Sequence, residues 1–405
     1  MRILLGTYDV CGWLSNLGRA FTELGHEVTT AVSEPPPYIQ QSYDVFLPEL
    51  AGGRPLNEIS PSEGGLHRLI GWMDRSHRQW EYTRSVHSLI SRHDLVVKMW
   101  HPFIPSAREN DFAKSKGIRL VQLFVGSDAR HMPAFRQQYD ISQWDFPSDS
   151  DIDPVYQLSN IRQAEKHADL VYSVPDQAGL QLRPYFHLQA PLEVGNFPYS
   201  IPGRDVPRIV HAPSVPWKKG TDIVESAMEA LRSEGLDFEF ISLREVPQRT
   251  LLQILLDADI LVDEIVCHGP GALSIEAMLS GCAVATRYLE DSPECFRPPV
   301  WSIQADNIIP RLRQLITDKQ MVRRLAEEGR AYALRHNDAR RIAAQMLVDL
   351  ESPREPDYHP RFLRDHYIPR IESETRMINE WTAKVRHCDW YLREIPPGIR
   401  SGLVF

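Results

Sequence analysis

The sequence predicts an α/β protein in which two parallel sheets follow one another along the chain. Three observations predict it. Short apolar runs of strand length alternate with stretches of helical periodicity. Residues 195–207, with Pro198, Pro202, Gly203 and Pro207, interrupt that alternation once, and beyond them it restarts. A chain of 405 residues is also too long for one ordinary domain.

Residues 2–6 read as a buried strand and residues 7–12 as the loop after it. Leu14, Leu17, Phe21 and Leu24 then recur at helical spacing up to Gly25, and residues 26–32 form the next strand. Strand, helix and strand in so short a span make a βαβ unit, whose hand is set by strand twist. Residues 33–65 read as loops around a short strand at Val45 and Phe46, followed by a helix over about 66–92. Residues 94–99, 119–124 and 169–173 are strands. The acidic, serine-rich residues 140–153 are an exposed loop, and residues 161–167 end a helix.

After the break, strands are expected at 209–211, 237–242, 259–263 and 283–285. Helices are expected at 222–233, 250–257, 272–279, 307–316 and 319–336. The tail opens with Pro353, Pro356, Pro360 and Pro369, then places Ile371, Ile378, Trp381, Val385, Tyr391 and Leu392 in a mostly helical pattern. The expected organisation is therefore a first Rossmann-like domain over 1–200, a second over 201–350, and a helical extension over 351–405 that packs back on the first.

Hydrophobic residues make up 42%, enough for two cores, which argues against global disorder. The net charge of −9 makes the chain a poor nucleic-acid binder, since such binding needs many cations against phosphates. Cys11, Cys267, Cys282, Cys295 and Cys388 are odd in number and widely spaced, so neither a disulfide framework nor a zinc knuckle is indicated. No apolar run reaches the roughly 20 residues of a membrane span, and the apolar start, Met1 to Leu5, is too short for a signal peptide. A cytoplasmic location is expected.

In open parallel sheets ligands bind beyond the carboxyl ends of the strands, and four loops there carry candidates. The segment 211–222 holds Ser214, Lys218, Lys219 and Gly220 before a helix. It reads as a diphosphate cradle or as a polar turn with solvated lysines. The segment 263–284 holds Gly269 and Gly271 at a helix start, with Ala272 next and Glu276 one turn in. A carboxylate there suits the paired hydroxyls of a ribose, or merely favours its helix dipole. Its neighbours Ile275, Ala277, Met278 and Leu279 are too apolar for a solvated face. His101 follows a strand directly and is either a cleft residue or a structural one. Asp128 and Arg130, after the strand ending at Phe124, pair with each other, hold the cleft wall, or touch a substrate. No P-loop, nucleophile elbow, zinc-protease motif or metal-ligand cluster is present, and the loop ending at Gly12 lacks G-x-G-x-x-G.

Residues 211–222 together with 263–284 resemble the nucleotide-binding half of family four glycosyltransferases, of GT-B architecture. Lys219, Gly220, Thr221 and Asp222 match the phosphate loop, and the run from Gly269 through Glu276, Ala277, Met278 and Gly281 matches the donor helix. The match covers about 209–350; the first half agrees in outline only, through residues 25–28, 100–102 and 126–130. The resemblance implies that Lys219 binds the donor diphosphate, Glu276 the ribose, and His101 the transferring sugar. It also implies transfer with retention, without metal or cofactor, from a nucleotide diphosphate sugar to a glycan, lipid-linked glycan or small molecule. The first domain is then the acceptor side and the second the donor side. The chain departs from the pattern at His268, where many members have a sugar-contacting glutamate. It departs again at Pro213 and Ser214, near which many have an arginine, and in its first loop, where Gly12 is left of a glycine-rich stretch.

Two other readings remain beside a glycosyltransferase: an inactive binding or scaffold subunit, and a nucleotide-sugar epimerase. The stretch 66–131, with Trp72, His77, Arg78, Trp80, Tyr82, Arg84, His87 and Arg92, reads as an ordinary packed helix with a basic face or as a peripheral membrane contact.

Overall fold

The computed structural model describes residues 1–36, 41–51, 65–104, 107–132, 135, 154–174, 178–195, 197–288 and 296–360. The first half contributes strands β1 (Arg2–Thr7), β2 (Glu27–Val32), β3 (Val45–Phe46), β4 (Leu95–Met99), β5 (Arg119–Phe124), β6 (Leu170–Ser173) and β7 (Phe186–His187). They form one parallel sheet in the order β3-β2-β1-β4-β5-β6-β7. The second half contributes β8 (Arg208–His211), β9 (Glu239–Ser242), β10 (Ile260–Val262), β11 (Ala283–Thr286) and β12 (Trp301–Ser302). Their parallel order is β12-β11-β10-β8-β9.

Helices α1 (Trp13–Glu23), α2 (Gly65–Ile90), α3 (Glu109–Ser115) and α4 (Pro154–His167) belong to the first half. The second half carries α5 (Pro216–Lys219), α6 (Thr221–Ser233), α7 (Gln248–Leu255), α8 (Ala272–Ser280), α9 (Ile308–Thr317), α10 (Lys319–His336) and α11 (Ala339–Glu351). Every residue of β4 and β10 is buried, as expected of parallel strands covered on both faces. In α1 the stripe of Leu14, Leu17 and Phe21 is buried against the sheet. Its amino end is closed by Asp9, whose buried carboxylate accepts from the backbone N–H of Leu14 (2.9 Å) and of Ser15 (3.2 Å), and from the hydroxyls of Ser15 (2.6 Å) and Tyr43 (3.0 Å).

The order of each sheet reverses once. In the first, the chain runs outward from β1 through β2 and β3, then returns to begin again at β4 beside β1. In the second it runs from β8 to β9, then restarts at β10 beside β8. The crevices beyond β1/β4 and beyond β8/β10 are therefore the switch points where such sheets take ligands.

The chain crosses between the halves and later returns, and the two crossings pair. Leu192 donates its N–H to Asn337 (2.8 Å), Ala339 donates back to Leu192 (2.9 Å), and the Asn337 amide donates to the Ala190 carbonyl (3.0 Å). Helix α11 then packs on α1, and the Tyr172 hydroxyl donates to buried Asp349 (2.7 Å). Past α11, Tyr358 and Tyr185 exchange backbone hydrogen bonds (3.0 and 3.1 Å) beside β7. The helical pattern anticipated from Ile371 onward lies outside the described residues.

Candidate active site

The cleft between the two switch points is built from short loops. Strand β8 ends at His211, whose imidazole is buried between the Val262 carbonyl (2.8 Å) and the Thr221 hydroxyl (3.0 Å). The loop beyond it, with Ser214 exposed, holds a short helix of its own before the helix expected at 222–233. Pro216 starts the one-turn helix α5, and Gly220 breaks it from α6 in left-handed conformation, φ 70°. A side chain at Gly220 would stand 2.5 Å from the Ile265 Cγ1, so the position requires glycine twice over. The side chain of Lys218 is outside the described residues.

Lys219 is neither solvated nor loose. It is buried, its ammonium pairs with the Asp263 carboxylate, and Glu264 lies 3.3 Å away. Ser274, in the first turn of α8, donates to the other Asp263 oxygen (2.5 Å). Burial alone would lower the Lys219 pKa; the two carboxylates outweigh it and hold the ammonium above its ordinary value. Burial conversely raises the Glu264 carboxyl, with Lys219 opposing. Asp263 and Glu264 are the site residues that sequence reasoning passed over. Their signal was present: two adjacent carboxylates ending a buried strand.

Gly271 caps α8 without any side-chain hydrogen bond, leaving the amides from Ala272 onward facing the cleft. A Cβ built on Gly271 would lie 3.7 Å from Glu264 Oε1 and 3.8 Å from Asp263 Oδ2, so Lys219, its carboxylates and the helix start are one cluster. Glu276, one turn in, is buried rather than on a solvated face, and accepts from the Gln248 amide (2.5 Å). Burial pushes its carboxyl up to about 7. Gly269 donates its N–H to Arg287 (2.7 Å), and His268 is buried edge-on against Phe135 of the first half, centroids 5.8 Å apart. Burial, then Arg287 and Arg130, lower the His268 pKa to about 3.

On the facing side, His101 leaves β4 after Trp100, which holds φ 70°, an unusual angle for a bulky residue and one that clusters at functional sites. The Thr7 hydroxyl fixes the turn by donating to the His101 carbonyl (2.6 Å). The imidazole sits among Trp100, Tyr8 and Tyr156, ring centroids 5.8, 6.5 and 6.5 Å away. Burial lowers its pKa to about 4, so the ring is neutral near pH 7. Gly12 adopts φ 78° at the start of α1. Beside it Cys11 is exposed; the surrounding protein pushes its thiol up to about 12, Glu276 adds to that rise and Lys219 opposes it. The first loop therefore faces the Lys219 and Glu276 cluster.

Asp128 serves its own loop, accepting from the N–H of Val125 (3.0 Å) and of Gly126 (2.8 Å), and burial raises its carboxyl to about 7. Arg130 lies across the Phe135 ring at 4.7 Å. Of the basic, aromatic stretch, Trp80 is exposed beneath Arg84, whereas Tyr82 is buried and His87 stacks on Phe112. Trp72 lies in α2, and its side chain is outside the described residues. Among the described residues no group of three or more His, Cys, Asp or Glu has metal-holding geometry, and no helix is long and apolar enough to cross a membrane. A cavity of about 450 Å³ lined by Arg2, His93, Asp94 and Arg119 lies at the amino ends of β1, β4 and β5, the opposite end from the cleft.

No protein-family model matches the chain, and no curated protein sequence does. Solved structures do. Sucrose-phosphate synthase from Thermosynechococcus elongatus aligns at a TM-score of 0.56 with 14% identity, over 86% of this chain and 98% of that one. Anabaena HepE in complex with UDP aligns at 0.52 with 14% identity, over 87% and 100%. Its complex with UDP-glucose aligns at 0.50 with 13% identity, over 86% and 99%. At such identities the likeness is one of fold, and it spans the full length of each neighbour. The chain has the architecture that its sequence predicts, two facing Rossmann-like sheets of the GT-B type.

Proposed function

We propose that the protein is a glycosyltransferase that moves a sugar from a nucleotide diphosphate donor to an acceptor hydroxyl. One observation carries the reading. Lys219, the uncapped start of α8 and the buried carboxylate of Glu276 converge at one switch point, and His101 faces them from the other. The spacing suits a nucleoside diphosphate: an ammonium and helix amides for the phosphates, and a carboxylate one turn deeper for the ribose hydroxyls. The UDP and UDP-glucose of the HepE structures are ligands of the same class.

In this reading the bond between the anomeric carbon and the terminal phosphate oxygen breaks, and its electron pair stays on the diphosphate. The acceptor oxygen forms the new bond on the same face, giving retention, and its proton passes to the diphosphate. Lys219 and the α8 amides meet the charge on the leaving group without a metal ion. His101, neutral near pH 7 and enclosed by aromatic rings, presents an uncharged donor and acceptor to a sugar whose positive charge develops.

The acid clamp on Lys219 also favours a second reading, a binding subunit without turnover. Calorimetry with UDP, GDP and ADP, and slow diphosphate release from the corresponding sugar nucleotides in the presence of a chelator, separate the two. Binding with release supports the transferase; binding without release supports the subunit. Lys219→Ala is expected to weaken diphosphate binding by roughly 1.5–3 kcal/mol and nucleoside binding hardly at all. Equal losses for both ligands would remove the phosphate role.

A further inference from the structure

Strand β4 is apolar except at Lys98, whose side chain enters the core on the side of α3 and is almost wholly buried. Its ammonium lies 3.3 Å from a Glu109 carboxylate oxygen and bonds the Asn110 side-chain oxygen. Both partners are in the first turn of α3, and both are buried. Taking a cation and a carboxylate out of water costs more than their attraction restores, unless the remaining polar atoms are matched as well. Here the match is incomplete: the second Glu109 oxygen and the Asn110 amide nitrogen make no hydrogen bond among the described residues. Apolar side chains of similar length would fill this space without that cost, so stability does not account for the pair.

The carboxylate is attached instead to the loop that carries His101. The Glu109 oxygen that faces Lys98 also accepts from the Phe103 backbone N–H (3.1 Å). The Phe103 carbonyl accepts from the Tyr82 hydroxyl of α2 (2.7 Å). The Phe103 ring lies over Gly6 of β1, where any Cβ would collide with it. Phe103 is thus fixed from α2, α3 and β1, and His101 stands just before it with its own carbonyl on Thr7. The loop needs such fixing. Trp100 and Ala107, on either side of it, hold φ 70° and 51°, left-handed angles that a side chain keeps only where its surroundings impose them.

We propose that the buried Lys98–Glu109 pair is a positioning device: Lys98 aims the Glu109 carboxylate at the Phe103 N–H, and that bond sets His101 at the cleft. The inference rests on the glycosyltransferase reading for what His101 does there, and adds two residues that touch no substrate. Neither forms or breaks a covalent bond. A hydrogen bond to a carboxylate is stronger than one to a neutral acceptor, and the ammonium leaves that carboxylate one orientation where an uncharged side chain could turn. The effect falls on turnover more than on first binding. Nucleotide contacts belong to the second domain, whereas His101 must be exactly placed as charge develops on the sugar.

The test follows His101 itself. Histidine Cε1–H resonances are recorded for wild type, Lys98→Met/Glu109→Met and Lys98→Met/Glu109→Gln, with the His101 signal identified from a His101→Gln protein. Turnover of UDP-, GDP- and ADP-glucose, affinity for free UDP, GDP and ADP, and melting temperature are measured on the same preparations. The double-methionine protein leaves neither charge buried without its partner, and its melting temperature is expected to stay near that of wild type. Its His101 resonance should move toward that of a solvent-exposed imidazole, while those of His93 and His211, held by their own hydrogen bonds elsewhere, should not. Turnover of the accepted donor should fall about 100-fold, and diphosphate affinity should change by no more than about threefold. The glutamine protein keeps an oxygen for the Phe103 N–H, so its His101 resonance and its turnover should fall between. An unmoved His101 resonance in the double-methionine protein overturns the assignment, as does a moved one with turnover unchanged. A joint loss of melting temperature and of the His93 and His211 resonances in both variants also overturns it, because the pair would then hold the fold as a whole. A wild-type protein that releases diphosphate from none of these donors overturns the glycosyltransferase reading instead; a His101 resonance that moves in the double-methionine protein then still upholds the anchor, and an unmoved one removes it.

Discussion

Glu276 shows at the scale of one residue how the proposed function and stability oppose each other. Its carboxylate is buried beside apolar neighbours, with one hydrogen bond from Gln248 to support it. Burial holds the carboxyl at about 7, against an ordinary value near 4.5. Between those two values the folded protein binds more protons than the unfolded chain, so stability falls as pH rises through the window and the loss is complete above about pH 7. The cost is on the order of 3 kcal/mol at pH 8. Glu276→Gln is therefore expected to stabilise the unliganded protein at pH 8, have little effect at pH 4, and weaken nucleoside diphosphate binding. Denaturant melts at the two pH values, beside calorimetry with UDP and 2′-deoxy-UDP, check it. A variant less stable at pH 8 than wild type would show that the carboxylate holds the fold together instead. Nucleotide affinity in the wild type should likewise drop as pH falls below 7, because only the ionised carboxylate accepts from two hydroxyls.

At the scale of elements, the sequence was most legible where burial is two-sided. Residues Ile3, Leu4 and Leu5 of β1, or Leu95, Val96, Val97 and Met99 of β4, must be apolar because helices cover both faces, and such runs stand out in any reading. The two-residue strands β7 and β12 escaped notice because each joins one apolar residue to a polar one, His187 or Ser302, whereas β3 is the apolar pair Val45 and Phe46. Helix α5 escaped because one turn cannot show a stripe, and Pro216 at its start reads equally as a loop. Gly220 was noticed for the right loop, but its reason is local packing: φ 70° and Ile265 at 2.5 Å. Gly25 offers the comparison, at φ 85° with nothing within 4 Å. Alanine at Gly25 should cost about 1–2 kcal/mol, the left-handed penalty alone. Alanine at Gly220 should cost about 1–3 kcal/mol more, because Ile265 must move, and should also blunt diphosphate binding by displacing Lys219. Paired denaturation curves settle this, and equal costs at the two positions would mean that Ile265 yields freely.

The whole molecule adds what no local pattern contains. Asp263 meets Lys219 because β10 lies beside β8, and Phe135 meets His268 because of how the two sheets are set together; contacts between residues far apart in sequence leave no spacing to read. The setting itself depends on the paired crossings at Leu192 and Asn337. Asn337 is fully buried, and its amide ties the outgoing chain at Ala190 to the returning chain that starts α11. Helix α11 is then anchored on the first domain by Asp349 and Tyr172, so one end of this return is fixed, and the crossing is where a turn of one domain about the other is expected. Replacing Asn337 by alanine leaves the Ala190 carbonyl buried without its donor, a loss of about 1–3 kcal/mol in stability. The donor contacts of the second domain do not involve this region, so affinity for free nucleoside diphosphate should stay within about threefold. Turnover should fall further than affinity, because in the glycosyltransferase reading closure brings His101 to the sugar. Small-angle scattering of the variant with and without UDP should show a smaller compaction than in the wild type. If Asn337→Ala instead compacts normally and loses turnover only in proportion to affinity, the crossing is a passive tether and the domains take their closed setting from the cleft contacts alone.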